Sequence, residues 1–348
     1  MKATYHKYIL DFKRPSGTSR GVMTEKETWF IVLEKDGKKG IGECGILRGL
    51  SIDDRPDYEE KLRWTCDNIH LGKDHLWEAL IEFPSIQFGV EMAFQSLVSE
   101  TPFLLFPSDF TNGTKSILIN GLVWMGEEAF MKQQIEEKLA DGFTCIKLKI
   151  GAIDFDKELQ LLRFIREHFT PEQVEIRVDA NGAFDSDLAL DKLIQLTEFK
   201  LHSIEQPIQK NHTDRMAELC KTTPFPIALD EELIGVFTLA EKEQLLEKIK
   251  PQYIILKPSF VGGFRGTQEW ISLAEKHKIG WWITSALESN IGLNAIAQWT
   301  FLQHNLMPQG LGTGALYTNN FDCPLEVSQG QLWYKKELDW TFDFALLK

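Results

Sequence analysis

From about residue 115 onward, short apolar runs alternate with longer stretches in which apolar residues recur every three or four positions. The short runs predict strands near 115–124, 144–150, 174–179, 201–206, 226–230, 253–257, 280–285 and 309–313. The longer stretches predict helices near 126–142, 154–168, 186–198, 211–222, 237–248, 264–277 and 290–303. The strand runs are almost uninterrupted, as strands covered on both faces require. Eight such strands with helices between them predict an α/β fold, a (β/α)8 TIM-type barrel. It is a modified one, of (β/α)7β form, because no strong helical pattern follows the last strand.

The first 110 residues read differently. ATYHKYILDF and TWFIVLEKDGKKGIGECGI predict antiparallel strands, with a hairpin turn at Asp36-Gly37. RPSGTSRG, residues 14–21, is expected to be a mobile lid loop between the first two strands. Three patterned stretches follow at 56–70, 74–82 and 86–99, the last with helical spacing. Residues 1–110 therefore predict an α+β capping domain, and 111–314 the catalytic barrel. The aromatic, turn-rich segment 315–348 is expected to return to the capping domain.

Composition narrows the partners. A net charge of −13 argues against nucleic acid or an anionic membrane. No apolar run approaches the roughly 18 residues of a membrane span, and the N-terminus lacks a signal-peptide core. Five scattered cysteines without CxxC spacing predict reduced thiols and a cytoplasmic protein. No pattern encodes an oligomeric state.

The candidate chemistry lies at the strand ends. In TCIKLKI, Cys145, Lys147 and Lys149 share one face and Ile146 and Leu148 the other. The apolar face meets the helices, so the lysines point into the barrel. Each is expected to lower the other's pKa, and a lysine so depressed can act as a general base. The plainer alternative is one lysine paired with an acid and the other reaching the rim. Asp179, Glu205 and Asp230 end the next three strands, and Lys257 the one after. From Lys149 these charges are spaced by 30, 26, 25 and 27 residues, about one βα unit each. Each carboxylate alone could be a helix cap. Three in step form an oxygen-rich site suited to Mg²⁺. The ion lies between lysines on opposite sides, and such a pair stabilises charge developing beside a substrate carboxylate.

Weaker signals lie nearby. Ser285, in SALESNIG, could touch substrate or belong to a helix cap. GLGTG at 310–314 reads as a turn or a backbone contact to a carboxylate. Arg20, in the lid loop, could reach an anion over the barrel mouth or remain solvated.

Together KLK at 147–149, RVDANGAF at 177–184, IEQP at 204–207, ALDE at 228–231 and LKP at 256–258 resemble the enolase superfamily, in its muconate-lactonizing subgroup. Five motifs match in order and spacing, over nearly the whole chain. The resemblance implies Asp179, Glu205 and Asp230 as Mg²⁺ ligands, with Mn²⁺ able to substitute. It implies Lys149 as the base that takes the proton α to a small-molecule carboxylate substrate. Lys147 would tune Lys149 and help bind that carboxylate, and Lys257 would face them. Asn181 and Arg177 would support this set from behind. The lid loop, SALESNIG and GLGTG are most similar to those of members that dehydrate a succinyl-hydroxycyclohexadiene carboxylate to an aromatic product. There Lys149 would serve both steps of a syn elimination, through an enediolate. Alternatives are racemisation of N-acylamino acids, epimerisation of dipeptides, or a non-catalytic binding barrel. No carboxylate stands in GLGTG to hold a free amine, which argues against dipeptides.

Overall fold

The computed structural model describes residues 1–18, 21–151 and 153–347. Its N-terminal part is an antiparallel sheet of β1 (Lys2–Thr18), β2 (Gly21–Lys35) and β3 (Lys38–Cys44). Asp36 and Gly37 both take positive φ, 51° and 76°, as a two-residue hairpin turn requires. The helices α1 (Tyr58–Asp67), α2 (Lys73–Ala79) and α3 (Pro84–Val98) pack beneath. Trp29, Ile31 and Leu33 of β2 and Ile86, Val90 and Leu97 of α3 share one buried cluster. Helix α3 lies close on β3: a Cβ on Gly42 would fall 1.8 Å from the Gly89 carbonyl oxygen, so only glycine allows this approach.

Next come β4 (Ile117–Leu118), β5 (Gly121–Val123), α4 (Glu128–Ala140), β6 (Cys145–Lys149), α5 (Phe155–His168), β7 (Glu175–Asp179), α6 (Ala189–Leu196), β8 (Ser203–Glu205), α7 (Thr213–Thr222) and β9 (Ile227–Leu229). The chain continues with α8 (Leu239–Ile249), β10 (Tyr253–Leu256), α9 (Pro258–Val261), α10 (Gly263–Lys276), β11 (Gly280–Ile283) and α11 (Asn290–Leu302). A hairpin of β12 (Leu325–Ser328) and β13 (Gln331–Tyr334) follows. Strands β5 to β11 form one seven-stranded parallel sheet in sequence order. Thr238 and Glu241 form a reciprocal capping box that starts α8.

Three expectations change. The run at 115–124 is not one strand. It breaks at Ile119-Asn120, and β4 pairs with β13 while β5 enters the barrel. The strand expected at 309–313 shrinks to bridges from Gln309 to Ile119 and from Gly310 to Thr284. These still close the ring, but three glycines in GLGTG leave few side chains to pack there. The loop expected at 14–21 is largely strand: Ser16, Gly17 and Thr18 pair with Met23, Val22 and Gly21. Cross-strand pairing overrides the turn-like composition, and Pro15 falls within the register shift, where it costs no ladder bond. Gly17 bridges to Met125 at the barrel mouth; a Cβ there would lie 2.7 Å from the Met125 carbonyl oxygen.

The C-terminal segment touches both parts. Lys13 donates to the Leu316 carbonyl, and Phe321 and Phe342 pack on Phe30 of β2. All five cysteines are free and buried. Among the described residues no helix is long and apolar enough to cross a membrane.

Candidate active site

The barrel strands alternate faces, and their register places Leu122, Lys147, Arg177 and Ser203 in one inward layer. Two residues further on, Lys149, Asp179 and Glu205 form the next. Asp230 and Lys257 follow directly on β9 and β10. The structure thus brings all six charges together at the carboxyl ends of the strands, the end where barrel chemistry sits. Five are buried and Lys257 is partly exposed; Lys147 and Lys149 are each 9% exposed and Asp179 is fully enclosed.

Their contacts interlock. Asp179 Oδ2 receives Lys149 Nζ at 2.8 Å and Lys147 Nζ at 2.9 Å. Lys147 also pairs with Glu205, and Lys257 with Asp230. Lys149 donates to Asn181 Oδ1 at 2.7 Å, and Asn181 Nδ2 donates to Glu231 Oε1 at 3.0 Å. Asn181 sits at φ 45°, in the left-handed region that asparagine tolerates.

Electrostatics corrects one expectation. Burial pulls the Lys147 pKa down, but Asp179, Glu205 and Asp230 outweigh it and hold it above the ordinary value. The carboxylates dominate the repulsion between the two ammonium groups. Burial likewise opposes Lys257, yet Asp230 and Glu205 raise it. Asp179 resists its burial because Lys147 and Lys149 hold it far below the usual carboxylate range. Glu205 goes the other way: burial first, then the charges of Asp179 and Asp230, push its pKa well up.

Glu205 is the group that tests for a metal. It is 2% exposed, and neither carboxylate oxygen has a hydrogen-bond partner among the described residues, although it contacts the Lys147 ammonium. Buried carboxylates are costly unless bonded or bound to an ion. Three of them from adjacent strands, one without hydrogen bonds, fit a divalent cation with hard oxygen ligands.

A cavity of about 1130 Å³ opens above this set. Lys147, Lys149, Asp179, Asn181, Lys257 and Ser285 all line it. Lys13, Arg14, Ser16 and Met23 of the β1–β2 arm wall it from above. Ser285 is held by Thr313, Oγ to Oγ1 at 2.6 Å. It does not cap α11; Ser289 does, accepting from the Ile291 amide.

Arg177, expected behind this set, is rooted level with Lys147 and one layer below Asp179. Its guanidinium stacks 4.2 Å from the Trp282 ring and donates to Glu175 Oε1 at 2.7 Å and the Pro308 carbonyl at 2.9 Å. The reason is parity: Arg177 faces inward like Asp179, but two residues deeper. Arg20 lies outside the described residues.

Two residues were missed. Gln206, at φ 40°, accepts from the amides of Asp230 and Glu232 at 3.2 Å and donates to the Ile208 carbonyl at 3.0 Å. It ties the end of β8 to the end of β9. Glu231 holds Asn181. Both stand inside the IEQP and ALDE motifs, next to residues already singled out.

The family model described as Enolase C-terminal domain-like matches residues 130–337. The chain belongs to the enolase superfamily. Within it, the chain is 49% identical to the o-succinylbenzoate synthase of Desulfotalea psychrophila, over 95% of this chain and 98% of that protein. The crystal structure of MenC from Desulfotalea psychrophila superposes with a TM-score of 0.85 at 45% identity, covering 96% of this chain and 99% of that one. The dipeptide epimerase of Enterococcus faecalis, solved with Mg and L-Leu-L-Tyr, has a TM-score of 0.81 at 17% identity, over 95% and 96% of the two chains. That last likeness shows the shared superfamily fold. The superfamily barrel with its capping sheet is the architecture found here.

Proposed function

We propose that this chain is a Mg²⁺-assisted carbon–oxygen lyase that dehydrates a succinyl-hydroxycyclohexadiene carboxylate to o-succinylbenzoate, a step of menaquinone synthesis. The observation that carries the reading is the convergence of Lys149, Lys147 and Lys257 with Asp179, Glu205 and Asp230 beneath one cavity. The near full-length likeness to an o-succinylbenzoate synthase supports the choice of substrate.

Asp179, Glu205 and Asp230 would hold the Mg²⁺. When bound, the ion supplies positive charge beside the substrate carboxylate and so lowers the cost of charge developing there. Lys149, in its neutral form, takes the ring proton next to that carboxylate. The C–H electron pair moves into the carboxylate to give an enediolate, and its return forms the ring double bond as the neighbouring C–O bond breaks. The same Lys149 ammonium returns its proton to the departing hydroxide, which leaves as water. One base serves both steps when proton and hydroxyl lie on the same ring face. Asn181 and Asp179 orient the Lys149 amine. Lys147 helps seat the carboxylate. Lys257, opposite, stays charged and stabilises the developing anion. Ser285 stands at the wall where the succinyl chain would lie.

The test is direct. The purified chain with Mg²⁺ is mixed with the cyclohexadiene acid, and the aromatic product is followed by ultraviolet absorbance. No product above the uncatalysed rate sinks the proposal. A second reading, racemisation of N-acylamino acids, is favoured by one observation: lysines stand on both sides of the carboxylates. Solvent deuterium entering N-succinyl amino acids faster than the diene is dehydrated would make it the main activity.

A further inference from the structure

Helix α10 starts without a side-chain cap of its own, because its N-cap is Gly262. The acceptor for its first-turn amides comes from the capping domain. Glu91 of α3 takes the Phe264 amide on Oε2 at 2.5 Å and the Arg265 amide on Oε1 at 3.2 Å. Glu91 is 7% exposed. A buried carboxylate is costly unless bonded, and these amides are groups that a helix leaves unpaired at its start. Two neighbours reinforce the contact. Trp77 of α2 donates its ring N–H to the Gly262 carbonyl at 2.9 Å, and Gln87 of α3 donates to the Trp77 carbonyl at 2.8 Å. The approach depends on glycine: a Cβ on Gly263 would lie 2.2 Å from Glu91 Oε2.

Immediately before this junction is the single turn α9, and Lys257 is its N-cap. The Phe260 and Val261 amides donate to the Lys257 carbonyl at 2.8 and 3.2 Å. The Lys257 ammonium stands 5.7 Å from the centre of the Phe260 ring, and both residues line the cavity. At its near end the turn continues from β10. At its far end follow Gly262 and Gly263, with φ of 95° and 70°, two residues with little backbone preference of their own. Bonds from α2 and α3 grip that far end. We propose that Glu91 is a positioning residue. By fixing the α9–α10 junction from the capping domain, it sets where the Lys257 ammonium stands in the cavity, without touching substrate.

The experiment uses Glu91→Met, which keeps length and removes both acceptor oxygens. Two readouts are taken: amide hydrogen exchange at Phe260 and Val261, and steady-state kinetics with the cyclohexadiene acid. The second rests on the dehydratase reading and the first does not. Phe260 and Val261 bond to Lys257, not to Glu91, so their exchange reports the turn itself. It is expected to quicken by about tenfold while β6 to β8 stay protected. Turnover is expected to lose about tenfold in kcat with KM within about threefold. In a Lys257→Ala background the same substitution should change kcat by less than about twofold, because the group it positions is gone. Unchanged exchange at both amides overturns the proposal, as does quickening throughout the barrel, which is plain loss of stability. A kcat within about twofold of wild type, or an equal fall in both backgrounds, also overturns it. If wild type does not dehydrate the diene, or Lys257→Ala leaves no measurable rate, exchange alone decides. Should Glu91→Met not fold, Glu91→Gln, which loses the charge and keeps one acceptor, is read the same way.

Discussion

Two layers of the barrel interior are built on the same strands and do opposite things. The lower holds Arg177, Ile255, Trp282 and the root of Lys147; the upper holds Lys149, Asp179, Glu205, Asp230 and Lys257, with the Lys147 ammonium reaching up to them. Only two residues along each strand separate them. In the lower layer the guanidinium is absorbed: Arg177 stacks on Trp282 and bonds to Glu175 and a carbonyl. Ala228, Ile255 and Trp282 fill the remaining space. In the upper layer these five charges and the Lys147 ammonium balance in sum, but neither Glu205 oxygen has a hydrogen-bond partner among the described residues. The lower layer spends its polarity on packing, while the upper leaves capacity for an ion and a substrate.

Substitutions in each layer should therefore fail differently. The largest effect is expected from Lys149→Ala: loss of dehydration by at least about 10³-fold with the fold intact by circular dichroism. Activity within about tenfold of wild type would remove Lys149 from the chemistry. Arg177→Met should act in the opposite sense. It is expected to lower unfolding free energy by about 3 kcal/mol in denaturant titrations while Mg²⁺ affinity stays within about threefold. A large loss of Mg²⁺ binding at unchanged stability would erase the distinction between the layers.

Glu205→Gln should separate the ion from the fold. Mg²⁺ affinity by calorimetry is expected to fall about 100-fold, or roughly 2.7 kcal/mol. The metal-free protein should become more stable, since one of three crowded carboxylates is gone. A less stable metal-free variant would mean that Glu205 is held by its lysine and not reserved for a cation.

The smallest effect lies outside the barrel, at a buried carboxylate with no such task. Burial lifts the Asp53 pKa to about 6, although the Ser85 amide and hydroxyl donate to it. A carboxyl raised on folding binds its proton more tightly in the folded state. Its contribution is therefore present at low pH and declines as pH rises through the folded value. Between pH 5 and 7 wild type should lose roughly 1 kcal/mol relative to Asp53→Asn. The melting temperature of wild type minus that of Asp53→Asn should fall with rising pH. A difference that rises would contradict the sign.

The upper layer was legible from sequence because its residues repeat once per βα unit and share a face. Lys147, Lys149, Asp179, Glu205, Asp230 and Lys257 all needed only parity and spacing. Depth was not legible. Arg177 has the same parity as Asp179, and nothing in RVD says which of two inward residues reaches the cavity. The arm was misread for another reason: Pro15 and Gly17 signal a loop locally, but pairing with 21–23 is a cross-strand property. The pKa of Lys147 depended on three carboxylates from other strands, so proximity of Lys149 alone gave the wrong direction.

The pairing of β4 with β13 joins residues 117–118 to 331–332. During synthesis on a ribosome, the strand beside the entry to the barrel must wait for more than two hundred further residues before its partner emerges. The capping sheet can form early from its own hairpins, but the ring closes only when Gln309 and Gly310 reach Ile119 and Thr284, and the β4 edge is covered later still. Nascent chains stalled before residue 309 should thus carry a formed capping sheet and an unfinished barrel, which is the form a chaperone would meet.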